Sequence, residues 1–307
     1  MKILVTPRSI TTRPLDDVPE LDPLRARGWT LVAGPAGRLP TADELAALLP
    51  GVDGWVCGVE KVSAQTLASA DRLKVIARNG VGADAIDTDA AAARGIEIAL
   101  ARGANANGVA ELAVALMLSA LRDIPATDAA LHGGDWRRRL GSELADCNVG
   151  IVGYGAIGRI VSRLVRAFGA RVFAYDPIAD VSSDGAEAVS LAQLFAQSDI
   201  VTLHSPKPKS GHPLVDSALL ESMPRGGVLV NTARSALVDT GAALDALRSG
   251  RLSAYAVDAF DQEPPVLDEL LRHPRTIMTA HLGGYTDSST RRATEQAVAN
   301  VISRLTA

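Results

Sequence analysis

The chain is 307 residues long, 47% hydrophobic and 21% charged, with a net charge of -4 at pH 7. That much apolar material excludes a disordered chain, and the length suggests about two domains. The slight negative charge offers nothing to nucleic acid or a membrane surface, and Cys57 and Cys147, far apart with no CxxC spacing, exclude a disulfide framework or a zinc site.

Met1-Lys2-Ile3-Leu4-Val5-Thr6-Pro7 reads as a first strand, without the apolar core and cleavage site of a leader peptide. No uncharged apolar stretch approaches the roughly 18 residues of a membrane span, so a cytoplasmic setting is expected. Strand-like runs follow at Ile3–Thr6, Thr30–Ala33, Gly54–Cys57, Val75–Ala77 and Ile96–Ala99, separated by Ala/Leu-rich helical segments such as Asp43–Leu49 and Ala64–Ala70. From Asn107 to about Leu121 the apolar residues recur at helical spacing, which marks a candidate inter-domain helix. A second helix is expected over Thr127–His132, followed by an irregular segment carrying Arg137, Arg138 and Arg139. The strand pattern then resumes with Val149–Val152, Val172–Tyr175, Ile200–Leu203, Val228–Val230, Ala254–Val257 and Thr276–Thr279, and closes with a helix at Ser289–Leu305. Alternating strands and helices specify an α/β protein, and eleven strands exceed one doubly wound parallel sheet, so two such domains are expected. The last helix is free to cross back to the first domain, which sets the boundaries at 1–99 plus 285–307 and at 100–284.

Gly153-Tyr154-Gly155-Ala156-Ile157-Gly158 follows the strand Val149–Val152 and precedes the helical run Ile160–Phe168. This is the context of a Rossmann dinucleotide fingerprint: Gly153 permits the turn, Gly155 lets the backbone approach a pyrophosphate, and Gly158 lets helix and sheet pack closely. The pyrophosphate belongs at the helix N-terminus near Ala156 and Ile157. Asp176 ends the next strand, where a carboxylate binds the adenosine ribose and repels a 2′-phosphate, which favours NAD over NADP. Lys207 and Lys209 suit a solvated basic loop better than a second phosphate site.

Three stretches in the last third each follow a strand: Asn231-Thr232-Ala233-Arg234-Ser235, Asp258-Ala259-Phe260-Asp261-Gln262-Glu263-Pro264 and Ala280-His281-Leu282-Gly283-Gly284. Parallel sheets take ligands at these strand ends. A 2-oxo acid accepting hydride needs its carboxylate held and its carbonyl oxygen protonated. Arg234 suits the first task, His281 the second, and Glu263 favours the charged imidazole and fixes its tautomer. Each residue alone reads as an ordinary surface or loop residue, as His132, His212 and His273 do; the succession after a fingerprint is what points to catalysis. His204, ending Ile200–Leu203, is placed to line the cofactor pocket.

With Arg78-Asn79-Gly80-Val81-Gly82-Ala83-Asp84-Ala85-Ile86-Asp87 and the Asn105 to Glu111 stretch added, the whole chain resembles the D-isomer-specific 2-hydroxyacid dehydrogenase family. Within it, the likeness is greatest to short, core-only phosphoglycerate dehydrogenases. The resemblance implies a Rossmann NAD-binding domain inserted into a flavodoxin-like substrate domain, with Arg234, Glu263 and His281 as the catalytic trio and a D-configured substrate. It also implies that Arg78, Asn79, Gly80, Val81 and Gly82 bind substrate. His204, Ser205, Pro206, Thr232, Ala233, Asp258, Gly283 and Gly284 would lie along the cofactor. A homodimer through the NAD-binding domain, no metal and no regulatory extension are further implications.

The match departs from the family in three places. Ser235 replaces a usual glycine, the loop from Lys207 to His212 lacks the usual threonine-containing stretch, and Cys57-Gly58-Val59-Glu60 carries no arginine for a substrate phosphate. Phosphoglycerate is the first expectation, with hydroxypyruvate, glyoxylate or a phosphonate-bearing acid as rivals. A non-catalytic NAD-sensing scaffold is the alternative of another class.

Overall fold

The computed structural model describes residues 1–181, 185–207 and 210–306 of the chain, which form two units, Met1–Asn105 with Gly284–Ala307, and Ala106–Gly283. Short β-branched and apolar runs become strands, and the helices between them start at side-chain caps. Thr41 and Ser190 form reciprocal capping boxes with Glu44 and Gln193, while Asp87, Asp216 and Asp239 each accept a backbone N–H from the first turn they precede.

In the first unit, β1 (Lys2–Val5), β2 (Thr30–Ala33), β3 (Gly54–Cys57), β4 (Val75–Arg78) and β5 (Glu97–Leu100) pair in the order β2-β1-β3-β4-β5, all parallel. This is the flavodoxin-like doubly wound order. The helix Asp287–Thr306 sets Ala297, Val298 and Val301 on one face of the sheet, against Ile3, Val56 and Val75. Leu45, Leu49 and Leu67 cover Trp55 and Ile76 on the other face.

The second unit adds β6 (Asn148–Val152), β7 (Arg171–Tyr175), β8 (Glu187–Ala188), β9 (Ile200–Leu203), β10 (Gly227–Asn231), β11 (Leu252–Val257) and β12 (Thr276–Met278). They form one parallel sheet in the order β12-β11-β10-β9-β6-β7-β8. The central strands β9 and β10 are buried along their whole length, as strands covered by helices on both faces must be. The helix Ala106–Leu121 contributes Ala110, Ala113, Leu116 and Met117 to the same core as Val161 and Val165 of the helix Ala156–Ala167. Phe195, Leu220 and Leu247 fill the opposite face. Each such side chain stabilises the fold by roughly 1.5–3 kcal/mol.

The structure corrects several element readings. β8 is a twelfth strand among the described residues; its sequence, Glu187–Ala188, is too short and polar to show as one, and both residues are exposed. The helix Ala106–Leu121, read from the sequence as an inter-domain helix, begins the second unit and packs into its core. The next helix runs Ile124–His132, three residues longer at its start than expected, because Pro125 fits a helical first turn.

Candidate active site

β6 and β9 are neighbours in the sheet although β7 follows β6 in the chain, so the crevice beyond their carboxyl ends is the topological switch point. The glycine fingerprint lies there. Gly153 has φ +92, and a Cβ on it would lie 2.7 Å from the His204 carbonyl carbon. A Cβ on Gly158 would stand 2.1 Å from the Gly153 oxygen, so only glycine lets the helix Ala156–Ala167 come this close to the turn. Gly155 differs: beyond its own chain neighbours, no protein atom lies within 4 Å of where its Cβ would be. The chain thus leaves an open space over the N-terminus of the helix beginning at Ala156 and Ile157, where backbone N–H groups and the helix dipole suit a pyrophosphate.

Asp176 directly follows β7 and accepts N–H bonds from Tyr154 at 2.7 Å and from Ile178 and Ala179 at 2.8 Å. Burial by itself pushes its carboxyl up. The three donors, with the Arg159 charge, outweigh that and hold it below the ordinary carboxylate value. The carboxylate is fixed and ionised, with acceptor capacity left for a ribose hydroxyl. His204 hydrogen-bonds Val152 O through its own N–H, and its ring meets Thr202 at 3.0 Å and Thr232 at 3.5 Å. The residue is partly exposed, but burial of the ring draws its pKa down to about 3, so it is neutral at physiological pH. Ser205 Oγ is buried without a hydrogen-bond partner, Thr232 is nearly enclosed, and Pro206 and Lys207 are exposed. Pro208 and Lys209 lie outside the described residues. Together the open glycine turn, the fixed carboxylate and the helix N-terminus fit a dinucleotide.

Arg234 sits after β10. The Asn231 side chain holds this turn, donating to Arg234 O at 2.8 Å and accepting from Ala233 N–H at 3.1 Å. The guanidinium is half-buried and donates to Ala233 O at 2.7 Å. Glu263 follows β11, and its Oε1 lies 2.7 Å from His281 Nδ1. His281 has φ +52, a left-handed conformation that costs a non-glycine residue about 1–3 kcal/mol.

Asp258 accounts for how that conformation is held. It is 1% exposed and accepts from the Thr279 hydroxyl at 2.6 Å, Leu282 N–H at 2.7 Å and Gly283 N–H at 2.9 Å. The loop carrying the imidazole is therefore clamped on both sides of His281 by one buried carboxylate. His281 and Glu263 are half-exposed, so their pair adds little to stability. Its effect is orientation: with Nδ1 turned to Glu263, Nε2 is left for another partner.

In the first unit, Arg78 ends β4 and donates to Asn79 O at 2.8 Å, Asn79 N–H reaches Cys57 O at 2.8 Å, and Gly80 O accepts from Ala101 N–H. Asn79 Oδ1 is buried without a partner; Gly80, Val81 and Gly82 are partly exposed, and Gly284 belongs to this unit. The arginine run is at the surface of the second unit, where Arg137 pairs with Asp135 and Arg139 approaches Asp123 at 3.5 Å. Asn231 and Thr279 carry no assigned role in the sequence reading; both are small polar residues next to a strand end, a pattern too common to single out. Ser235 Oγ is buried and unpartnered.

A parallel sheet with this switch point, fingerprint and carboxylate-backed histidine defines a dinucleotide-binding oxidoreductase architecture. Residues 114–283 match the family model of the D-isomer specific 2-hydroxyacid dehydrogenase, NAD binding domain. The D-3-phosphoglycerate dehydrogenase of Mycobacterium tuberculosis is 40% identical over 260 residues, covering 83% of this chain and 49% of that one. The hydroxypyruvate reductase of Thermotoga maritima is 35% identical over 269 residues, covering 86% and 88% of the two chains. The TT0316 protein of Thermus thermophilus has a solved structure that superposes with a TM-score of 0.88 at 33% identity, covering 100% of this chain and 97% of its own. The chain belongs to the D-isomer specific 2-hydroxyacid dehydrogenase family, whose cofactor is NAD. It spans about half the length of the mycobacterial phosphoglycerate dehydrogenases it matches.

Proposed function

We propose that the chain is an NAD-dependent dehydrogenase that interconverts a D-2-hydroxy acid and its 2-oxo acid. The observation that carries this reading is the 2.7 Å bond between His281 Nδ1 and Glu263 Oε1, on a loop clamped by Asp258. Arg234 holds the substrate carboxylate through paired N–H donors. In the first unit, the residues read as substrate-binding are Arg78, Asn79, Gly80, Val81 and Gly82. In the reducing direction His281 gives the proton to the C2 carbonyl oxygen, and in the oxidising direction it takes the hydroxyl proton. Glu263 keeps the ring oriented and compensates its charge. NAD would supply the hydride chemistry; Gly153, Gly155, Ala156, Ile157 and Gly158 would hold its pyrophosphate and Asp176 its ribose. His204, Ser205, Pro206, Thr232, Ala233, Asp258, Gly283 and Gly284 line the rest of the cofactor site.

The substrate read first is 3-phosphoglycerate with its 2-oxo partner, on the strength of the 40% identity to a phosphoglycerate dehydrogenase. The unphosphorylated hydroxypyruvate is the second reading. It is favoured by the relative matched over 88% of its length and by the loop after β3, where buried Glu60 stands in place of a cation. We also propose a homodimer formed through the NAD-binding unit. The helix Ile124–His132 buries none of its residues, and Trp136 and Leu140 beyond it are 79% and 98% exposed. Free, buried Cys57 and Cys147 suit a reducing cytoplasmic setting.

The test is NADH oxidation followed at 340 nm with phosphohydroxypyruvate, hydroxypyruvate, glyoxylate, 2-oxoglutarate and phosphonopyruvate. Turnover of the phosphorylated acid above the rest supports the first reading, and preference for hydroxypyruvate supports the second. Silence across the panel with NADH binding intact would overturn both and favour an NAD-sensing scaffold.

A further inference from the structure

The first unit carries a half-open surface cavity of about 290 Å³ that shares no residue with the site described above. Ser9, Arg13 and Glu20, from the segment after β1, line one wall; Asp287, Thr290 and Arg291, from the first turns of the helix Asp287–Thr306, line the other. One feature of this lining is unusual: Glu20 Oε2 is buried and has no hydrogen-bond partner. Arg13 is exposed and enters no ion pair among the described residues, so its guanidinium is open to a ligand. A buried acceptor without a donor is a standing free-energy cost that an incoming N–H or O–H would relieve. Arg291 is only loosely engaged, 4.0 Å from Glu295.

The cavity therefore presents two guanidinium groups and two carboxylates, with no net charge. A lone anion would meet Glu20 and Asp287, and a lone cation would meet Arg13 and Arg291; a molecule carrying both charges satisfies all four. Guanidinium takes a carboxylate in paired N–H bonds, and an ammonium with its three donors suits Glu20 Oε2 together with neighbouring oxygens. The Thr290 hydroxyl already donates to Thr286 O, so it is available to the ligand as an acceptor. At about 30 Å³ per water-sized group, the volume holds on the order of ten non-hydrogen atoms.

We propose that this cavity binds a small zwitterion, an α-amino acid. The site takes the α-carboxylate on Arg13 and Arg291 and the α-ammonium on Glu20 and Asp287, with Ser9 and Thr290 completing the hydrogen bonds.

Isothermal titration of the intact chain with glycine, L-serine and L-aspartate tests this, with acetate and methylammonium as single-charge controls. At least one amino acid binds once per chain at millimolar affinity or better, and both controls bind at least about tenfold more weakly, or about 1.4 kcal/mol. Arg13→Ala and Glu20→Gln each weaken that binding by about tenfold or more without lowering the melting temperature, because Arg13 is exposed and Glu20→Gln keeps the side chain's shape while removing an unpartnered charge. Three results would overturn the proposal: no saturable heat with any of the three, acetate binding as tightly as the amino acid, or binding that survives both substitutions.

Discussion

Asp258 fixes the backbone on either side of His281, because its two oxygens take the Thr279 hydroxyl and the N–H groups of Leu282 and Gly283. Asp258→Asn keeps the shape but turns an amide NH2 toward groups that are themselves donors. Turnover should fall by about 100-fold, at the low end of what general acid catalysis contributes, and the melting temperature should drop by several degrees. Unaltered turnover would show that the loop holds His281 without the clamp. Much at this scale was legible in the sequence. Arg234, Glu263 and His281 stand out because their residue types suit hydride transfer and each follows a strand. The clamp made by Asp258 was not legible: the family resemblance placed this residue only along the cofactor, and a buried carboxylate facing three donors is a product of folding. The left-handed φ of His281 was equally hidden, since nothing in Ala280-His281-Leu282 demands it.

At the scale of elements, the turn between β6 and the helix Ala156–Ala167 makes a paired prediction. A methyl group on Gly158 would sit 2.1 Å from a backbone oxygen, whereas one on Gly155 would meet no protein atom within 4 Å beyond its own chain neighbours. Gly158→Ala should lower the melting temperature by about 5–10 °C through overpacking. Gly155→Ala should melt like the wild type and bind NADH at least about tenfold more weakly, because its methyl group occupies ligand space. Thermal denaturation and NADH fluorescence titration read the two effects; equal melting losses would contradict the division of labour. Strands β9 and β10 were visible as short runs of β-branched and apolar residues without polar alternation, the mark of burial on both faces. The dinucleotide turn was visible because its glycines are positionally constrained. β8 was invisible because two exposed residues, Glu187 and Ala188, pair with β7 through their backbones alone.

For the whole molecule, no helix among the described residues is long and apolar enough to cross a membrane. Exposed Trp136 and Leu140, beside a helix that buries nothing of itself, predict self-association. Light scattering should give twice the 32.0 kDa chain mass for the wild type and the single-chain mass after Trp136→Ser with Leu140→Ser. A wild-type monomer at micromolar concentration would rule the dimer out. Proton transfer through a carboxylate-held histidine is tested most directly by His281→Ala, with NADH oxidation by the best 2-oxo acid measured alongside NADH binding. Turnover should lie at least about 100-fold below wild type with cofactor affinity unchanged. Turnover close to wild type would contradict this role for His281, and the proton would have to come from another group.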